Sequence, residues 1–351
     1  MNSLPSLNWR HWKNLSDQDK KAVFNKILMY FVNPLREISN VQLKNFELGG
    51  IKSRTFEVEI DGEAFVFIPG SDEVILGWDK GVQGIATNAW DQHHPQEFGP
   101  QFQQLFATYG LDTLEEWNQF VNETTSELRK VAIPAMLVQK QARPAGTIYL
   151  GTLNSVTGEF KGHVEAFEPL SQAIRGHFQL TTSFADSLRM NLPERIFEPN
   201  SYYLELAPQS DNYQVYQHLE CSHTSLKKTL RKKGFTLLTE DQWEYAVGAG
   251  ARRLFRWGNA VDTDDSYWGK QVREKMKQAN MFGIVIDNQL NRCELLQDPT
   301  LKLAAWERAD IPLLDLLPLA TYYRNEQDEP LAILQPTDYL YRSAILIEVK
   351  E

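Results

Sequence analysis

The chain has 351 residues, of which 42% are hydrophobic and 23% charged, so it can bury the core of one large domain or two small ones. A net charge of −10 argues against a general nucleic-acid binder, because neutralising phosphates requires a positive surface. Two cysteines, Cys221 and Cys293, exclude a disulfide framework and fit the reducing cytoplasm, where we expect the protein. The sequence shows neither an apolar run of about 18 residues nor a secretory signal, so we expect no membrane span and no export.

The first predicted element is an amphipathic helix over residues 16–31. Ser16 is a favourable N-cap, and acidic residues in the first turn stabilise the helix dipole. Apolar residues then recur on one face as far as Phe31, and Pro34 follows as a stop signal. We expect this helix to dock on the core of the protein.

A β-hairpin is predicted next. Residues 55–60 alternate between apolar and polar side chains, as a half-buried strand does. Asp61-Gly62 is a favoured hairpin turn, and residues 63–70 form the returning strand. Residues 74–77 are predicted to continue this sheet.

The rest of the chain alternates predicted helices and short strands. Residues 101–130 are expected to be helical, and strand-like runs separated by glycine and proline occupy residues 133–200. Residues 223–247 predict two helices, of which the first ends at Gly234 and the second begins at a capping box formed by Thr239 and Gln242. We expect one intertwined domain, with residues 1–50 as a helical N-terminal extension and residues 51–351 as its body.

Residues 237–259 read LLTEDQWEYAVGAGARRLFRWGN and resemble the signature of the formylglycine-generating-enzyme family, also called sulfatase-modifying factors. Weaker matches lie before and after this segment, in the order that the family has them, at residues 65–77, at 280–294, and at 319–324 together with Arg342. The resemblance implies the irregular α+β fold of that family, which is similar to a C-type-lectin core, with the N-terminal helices as an extension.

The resemblance does not extend to the family's oxidation chemistry. Its oxidases hold copper with a cysteine pair near the C-terminal strands, since soft thiolates suit Cu(I). No cysteine follows Cys293 in this chain, so copper and formylglycine formation are not expected. An iron-dependent branch of the family needs an H-x-x-x-H-x-E motif, which is also absent.

The resemblance further implies a calcium site. Asp287 and Glu294 keep the spacing at which the family supplies carboxylate oxygens, and Leu290 and Arg292 would contribute backbone carbonyls. Leu290 replaces a glycine of the family, and Arg292 brings a positive charge. The alternatives are a solvated acidic loop, or a loop in which an arginine salt bridge substitutes for calcium.

The family's cleft suggests where a ligand would bind. The candidate residues are Trp306, Glu307, Tyr322, Tyr323, Arg324 and Arg342. They would bind an anion or a carboxylate, or they would pack within a β core. The first hypothesis is a non-catalytic module that binds a peptide or small molecule, and the alternatives are an enzyme of different chemistry or a structural and assembly component.

Two further clusters invite a functional interpretation. His218, Cys221 and His223 suit zinc or copper by type, but their spacing brings at most two of them onto one helix face. The basic run at residues 227–233 would meet an acidic partner, or it would form a solvated helix face. We favour the helix face in both cases.

Overall fold

A computed structural model of the protein describes residues 5–86, 111, 113–178, 192–208, 210–262, 267–286, 292–303, 311–325 and 331–348. The chain divides into two compact units. The first unit comprises Met1–Ala142, Lys227–Pro330 and Tyr341–Glu351, and the second comprises Arg143–Leu226 and Leu331–Leu340. The second unit is thus formed mainly by one segment inserted within the sequence of the first. The sequence carries no linker or change of composition that indicates this insertion.

The described residues form eight α-helices and several antiparallel sheets. The helices are α1 (Trp9–Trp12), α2 (Asp17–Phe31), α3 (Leu114–Glu123), α4 (Val164–Gly176), α5 (His223–Lys232), α6 (Glu240–Gly248), α7 (Tyr267–Lys277) and α8 (Pro312–Leu316), with short 3-10 helices at Pro5–Leu7 and Leu317–Leu319. The strands are β1 (Ile38–Leu48), β2 (Ile51–Ile60), β3 (Glu63–Ile68), β4 (Ser71–Leu76), β5 (Arg129–Ile133), β6 (Ala135–Gln139), β7 (Arg143–Pro144), β8 (Thr147–Asn154), β9 (Phe160–Gly162), β10 (Arg195–Glu198), β11 (Tyr202–Leu206), β12 (Asn212–His218), β13 (Cys293–Leu295), β14 (Leu301–Lys302), β15 (Tyr339–Tyr341) and β16 (Ala344–Ile347). The predicted α+β class is confirmed.

The first unit is built on a five-stranded antiparallel sheet in the order β1-β2-β3-β6-β16. The predicted hairpin is its second and third strand. Asp61 and Gly62 join them with φ angles of 52° and 77°, which match the turn that suits twisted strands. β1 begins at Ile38, so the stretch expected as a helical extension also supplies the edge strand of this sheet.

Helices α1 and α2 cover one face of the sheet. The prediction of helix 16–31 is confirmed, and the Asp19 amide donates to the N-cap hydroxyl of Ser16. Phe24 stacks on Phe56 with ring centroids 4.2 Å apart, and Trp12 lies 4.6 Å from the Phe67 ring. Burial of these large rings attaches both helices to the sheet.

Helix α6 packs in the core on the other face of the sheet. The predicted capping box is confirmed, because the Gln242 amide donates to the Thr239 hydroxyl and the Gln242 side chain accepts from the Thr239 amide. Every residue from Gln242 to Gly248 is buried. The helix ends at Ala249, which adopts the left-handed conformation that usually favours glycine.

Two expectations about the elements after the hairpin were wrong. Strand β4 does not continue the central sheet, because Pro69 has no amide hydrogen to extend the ladder and β4 pairs with β5 instead. Helix α3 ends before residue 124, where the Thr124 and Thr125 hydroxyls donate to backbone carbonyls of its last turn. Residues 101–110 of the predicted helix lie outside the described residues.

The second unit contains an antiparallel sheet in the order β10-β11-β12-β8-β9. Helix α4 packs on it through Phe167 and Ile174, which join a buried cluster with Leu204 and Val215. The prediction of short strands in this part of the chain is confirmed at β8 and β11. In the described parts of both units, no helix is long and apolar enough to cross a membrane.

Candidate functional site

The residues predicted to line a C-terminal cleft are held inside the first unit. Tyr322 is fully buried, its hydroxyl donates to the Ala251 carbonyl at 3.2 Å, and burial raises its pKa. The Tyr323 carbonyl accepts a hydrogen bond from Lys302, and the Arg324 Nε donates to Glu240 at 3.0 Å. Trp306 and Glu307 lie outside the described residues.

Arg324 belongs to an ionic cluster on the first turns of α6, formed by Arg129, Glu240, Glu244, Lys302 and Arg324. Lys302 Nζ, which is fully buried, lies 2.7 Å from Glu244 Oε1 and 3.0 Å from Glu240 Oε1. Arg129 Nη2 donates to the second oxygen of Glu244 at 2.9 Å. Burial alone would raise the pKa of Glu240, but the three surrounding cations outweigh it and hold that pKa below its usual value. Arg129 Nε also pairs with Asp241 at 2.6 Å, so three carboxylates neutralise the three cations.

Arg342 belongs to a different network. Its Nε and Nη2 donate to the two carboxylate oxygens of Glu294, at 2.9 and 3.2 Å, and its Nη1 donates to the carbonyls of Gln139 and Lys140. The structure therefore ties Arg324 and Arg342 to different carboxylates. A bidentate buried pair of this kind fixes backbone segments to one another.

The predicted calcium site is described only in part. Asp287 and Leu290 lie outside the described residues, and Arg292 is buried. Both oxygens of Glu294 already accept hydrogen bonds from Arg342. This contact corresponds to the alternative in which an arginine salt bridge takes the place of calcium. Among the residues that the structure describes, no group of three or more histidine, cysteine or acidic side chains is placed to hold a metal ion.

The His218, Cys221 and His223 cluster is not a helix face. His218 ends strand β12, Cys221 lies in the connection, and His223 begins α5. The His218 Nδ1 accepts a hydrogen bond from the Asn200 amide at 2.8 Å, and burial lowers the pKa of this imidazole. The expectation of a helix failed because the strand ladder with β8 extends as far as His218.

A cavity of about 450 Å³ in the first unit offers a more open site, which we call the basic pocket. It lies beside the two N-terminal helices and the hairpin of β1 and β2. Its lining consists of Trp9, Lys13, Lys20, Asn45, Phe46, Glu47, Lys52, Ser53 and Arg54. Four of these nine side chains are cationic and one is acidic, in a chain whose net charge is −10.

A turn at residues 281–283 supports the pocket lining. The Trp9 ring meets the Phe282 ring edge to face at 5.6 Å. A Cβ at Gly283, whose φ is +91°, would lie 2.7 Å from Phe46 Cζ. Glycine at this position therefore allows the Phe46 ring to pack against the backbone of the turn. The Ser53 hydroxyl donates to the Met281 carbonyl.

Asn280 holds this turn in place. Its side-chain oxygen accepts hydrogen bonds from the amides of Phe282 and Ile284, at 3.0 and 2.9 Å. Its side-chain nitrogen donates to the carbonyls of Ala246 and Val247, at 2.6 and 2.9 Å, in the last turn of α6. Carbonyls at a helix end have no partner within the helix, so Asn280 satisfies them while it shapes the turn.

The cations of the pocket differ in their partners. Arg54 forms a bidentate pair with Asp17 at 2.6 and 2.7 Å, and Lys52 lies 3.1 Å from Glu47. No carboxylate in the described ranges forms an ion pair with Lys13 or Lys20. These two ammonium groups therefore give the pocket a positive charge that no ion pair of the described residues neutralises.

Lys20 is the unusual member of the set. It is only 3% exposed, its Nζ donates to the Leu15 carbonyl at 2.8 Å, and it lies 5.8 Å from the centroid of the Trp12 ring. Burial lowers the pKa of this amine, and Arg54 adds to the effect while Asp17 opposes it. Lys20 was not among the predicted site residues, although it precedes Phe24 and Ile27 at the spacing of the helix's inner face.

A second cavity, of about 560 Å³, lies within the second unit. Residues 148–150 of β8 line one side, and residues 162–166 at the start of α4 line the other. Ile148 and Val164 leave apolar surface exposed there. This cavity lacks the cationic lining of the basic pocket.

Comparison with known families finds a similarity within the second unit. Residues 148–217 match the profilin-like domain of unknown function (DUF7278). The match spans β8 to β12 with α4, less than half of the chain, and so it does not assign the whole protein to a family. A search of curated proteins finds no match.

The resemblance to the formylglycine-generating-enzyme family was wrong as an identification. The family model that matches is that of the profilin-like domain, over residues 148–217, and nothing in the comparisons supports a sulfatase-modifying factor. The C-type-lectin-like fold is accordingly not confirmed. The residues that carried the resemblance have local tasks: Thr239 caps α6, Trp243 is buried in the core, and Asn280 shapes a turn.

We expect chelation of calcium to leave the melting temperature unchanged, because Arg342 already neutralises the buried Glu294 carboxylate. Elemental mass spectrometry and thermal unfolding before and after dialysis against EDTA measure this. Stoichiometric calcium, removed by EDTA with a fall in melting temperature, would instead support an ion between Asp287 and Glu294.

We expect Asn280→Ala to lower the free energy of unfolding by about 3 kcal/mol or more, because two carbonyls and two amides lose their partner in a buried site. Urea denaturation measures the change. The matched control is Gln278→Ala, because Gln278 is exposed and directly follows α7. Its free energy of unfolding should stay within about 0.5 kcal/mol of the parent's. Equal stability of the two variants would contradict the role given to Asn280.

Proposed function

We propose that this chain is a binding protein for a small anionic ligand, and that the basic pocket is its binding site. The observation that carries the proposal is Lys20, a buried ammonium group that lines a cavity and forms no ion pair within the described part of the chain. Burial of a charge is costly unless an opposite charge compensates it. A bound anion would supply that compensation.

The size and lining of the pocket support a small molecule. Its volume of about 450 Å³ falls in the range of small-ligand sites, and it combines aromatic rings with a few polar groups. Its possible nucleophiles are engaged, because the Ser53 hydroxyl donates to the Met281 carbonyl and the Lys20 amine donates to the Leu15 carbonyl, so the lining offers recognition more readily than nucleophilic chemistry. The proposal thereby narrows the earlier hypothesis of a peptide- or small-molecule-binding module.

The enzyme alternative receives less support. Its candidate groups Tyr322, Arg324 and Arg342 are engaged in internal hydrogen bonds and ion pairs. An arginine that already holds a carboxylate in bidentate geometry has little capacity left for a substrate.

We expect Lys20→Met to keep the fold and lose anion binding. Methionine fills the same space beside Trp12 without a buried charge, so the free energy of unfolding should stay within about 1 kcal/mol of the parent or rise. The affinity for inorganic phosphate should fall about tenfold or more, because a charge-assisted hydrogen bond is lost. Thermal unfolding across a phosphate titration measures both quantities.

The matched control is Lys21→Met, because Lys21 is the exposed neighbour on the same helix and should leave phosphate binding unchanged. The pH dependence gives a further check. Burial lowers the pKa of Lys20 below that of an ordinary lysine, so as the pH rises its ammonium should lose its proton, and phosphate affinity should fall, before the exposed lysines titrate. Phosphate binding that survives Lys20→Met intact would contradict the proposal.

The alternative of an assembly component has one observation in its favour. Met29, Tyr30, Leu35, Ile38 and Val41 leave large apolar side chains exposed within a short stretch of the first unit, and Leu35 is 90% exposed. This stretch leads into β1, which ends the sheet order and so has a free edge in the described structure. Free strand edges beside apolar surface favour association.

Association through this stretch predicts a mass larger than the monomer in light scattering at high concentration. Val41→Lys should then restore the monomer, because a charge would enter the contact. Val156→Lys is the matched control, since Val156 is an exposed valine of the second unit. A monomeric mass for the parent at every concentration would exclude this function.

A further inference from the structure

We propose that the ligand of the basic pocket is a small molecule that combines a planar aromatic ring with one phosphate group, as a nucleoside monophosphate does. This inference rests on the proposed function and narrows its ligand class. Two kinds of side chain line the same cavity. Trp9 and Phe46 contribute aromatic rings, and Lys13 and Lys20 contribute ammonium groups that form no ion pair with a described carboxylate. A ligand that satisfies both must be apolar and flat at one end and anionic at the other.

The two rings are held before any ligand arrives. Trp9 is fixed against Phe282, and Phe46 rests on Gly283, so both depend on the turn that Asn280 shapes. Neither ring therefore loses much conformational freedom when a ligand binds, and preorganised groups bind at lower entropic cost. Aromatic side chains stack on flat heterocycles without requiring a particular base.

The charge of the pocket suits one phosphate. Asp17 and Glu47 compensate Arg54 and Lys52, which leaves Lys13 and Lys20 to attract an anion. A phosphomonoester carries about −1.5 to −2 charges at pH 7, which matches two ammonium groups. A long polyanion would have to approach a chain of net charge −10, so a free small molecule is the occupant we propose.

Asn45 adds a polar contact for the ring edge. Its side-chain oxygen accepts a hydrogen bond from Arg54 Nη1 at 2.9 Å, which fixes the orientation of the carboxamide. No acceptor among the described residues takes its side-chain nitrogen, which keeps two donors. A ring with a nitrogen or carbonyl acceptor on its edge would complement them, as nucleobases do.

The test is calorimetry on the full chain with three probes: adenosine 5′-monophosphate, ribose 5-phosphate and adenosine. We expect the nucleotide to bind at least about tenfold more tightly than either partial ligand, because each lacks one of the two recognition elements. Phe46→Leu should reduce the nucleotide's affinity to that of ribose 5-phosphate and leave ribose 5-phosphate unchanged. Lys20→Met should weaken both phosphorylated probes and leave adenosine unchanged.

The outcomes separate this inference from the proposed function. Equal binding of the nucleotide and ribose 5-phosphate would overturn the ring requirement while the anion site stands. Binding of adenosine as tight as that of the nucleotide, or no binding of any probe, would overturn both. If Phe46→Leu does not fold, saturation-transfer NMR on the parent protein tests the ring contact. Stronger transfer to the base protons than to the ribose protons of the nucleotide supports the contact, and equal transfer contradicts it.

Discussion

The first unit depends on one buried side chain, Asn280. Its carboxamide joins the last turn of α6 to the turn at residues 281–283, with two donated and two accepted hydrogen bonds. A buried amide must satisfy donors and acceptors at once, and few positions in a protein offer both in one place. Through Phe282 and Gly283 this one residue also determines where the rings of Trp9 and Phe46 lie.

Two kinds of buried charge coexist around that framework. The ionic cluster at α6 pairs each cation with a carboxylate, and the Arg342 and Glu294 pair does the same at the end of β6. Lys20 contacts the Leu15 carbonyl and the face of Trp12, and it forms no ion pair with any carboxylate that the structure describes. A fully paired charge serves to specify one packing, whereas a charge left without a counter-ion retains a capacity to bind.

The sequence predicted the elements whose signals are local. The helix after Ser16, the Asp61-Gly62 turn and the Thr239 capping box all depend on residues within four positions of one another, and the structure confirms each. The basic pocket was not predictable in this way, because its lining comes from two helices and a hairpin and is supported by a turn more than 200 residues later. The same local devices produced the mistaken family resemblance, since caps and buried tryptophans recur in unrelated folds.

The order of strands in the central sheet has a consequence for how the chain reaches its fold. Strand β16, near the C-terminus, lies beside β6, and the whole second unit intervenes between them in sequence. Pairings across such separations close large loops and form late. During synthesis, β1, β2 and β3 emerge together, whereas the opposite edge of β6 remains unpaired until residues 344–347 have been made. Until then that edge exposes an unpaired ladder, which is the state most prone to misassociation.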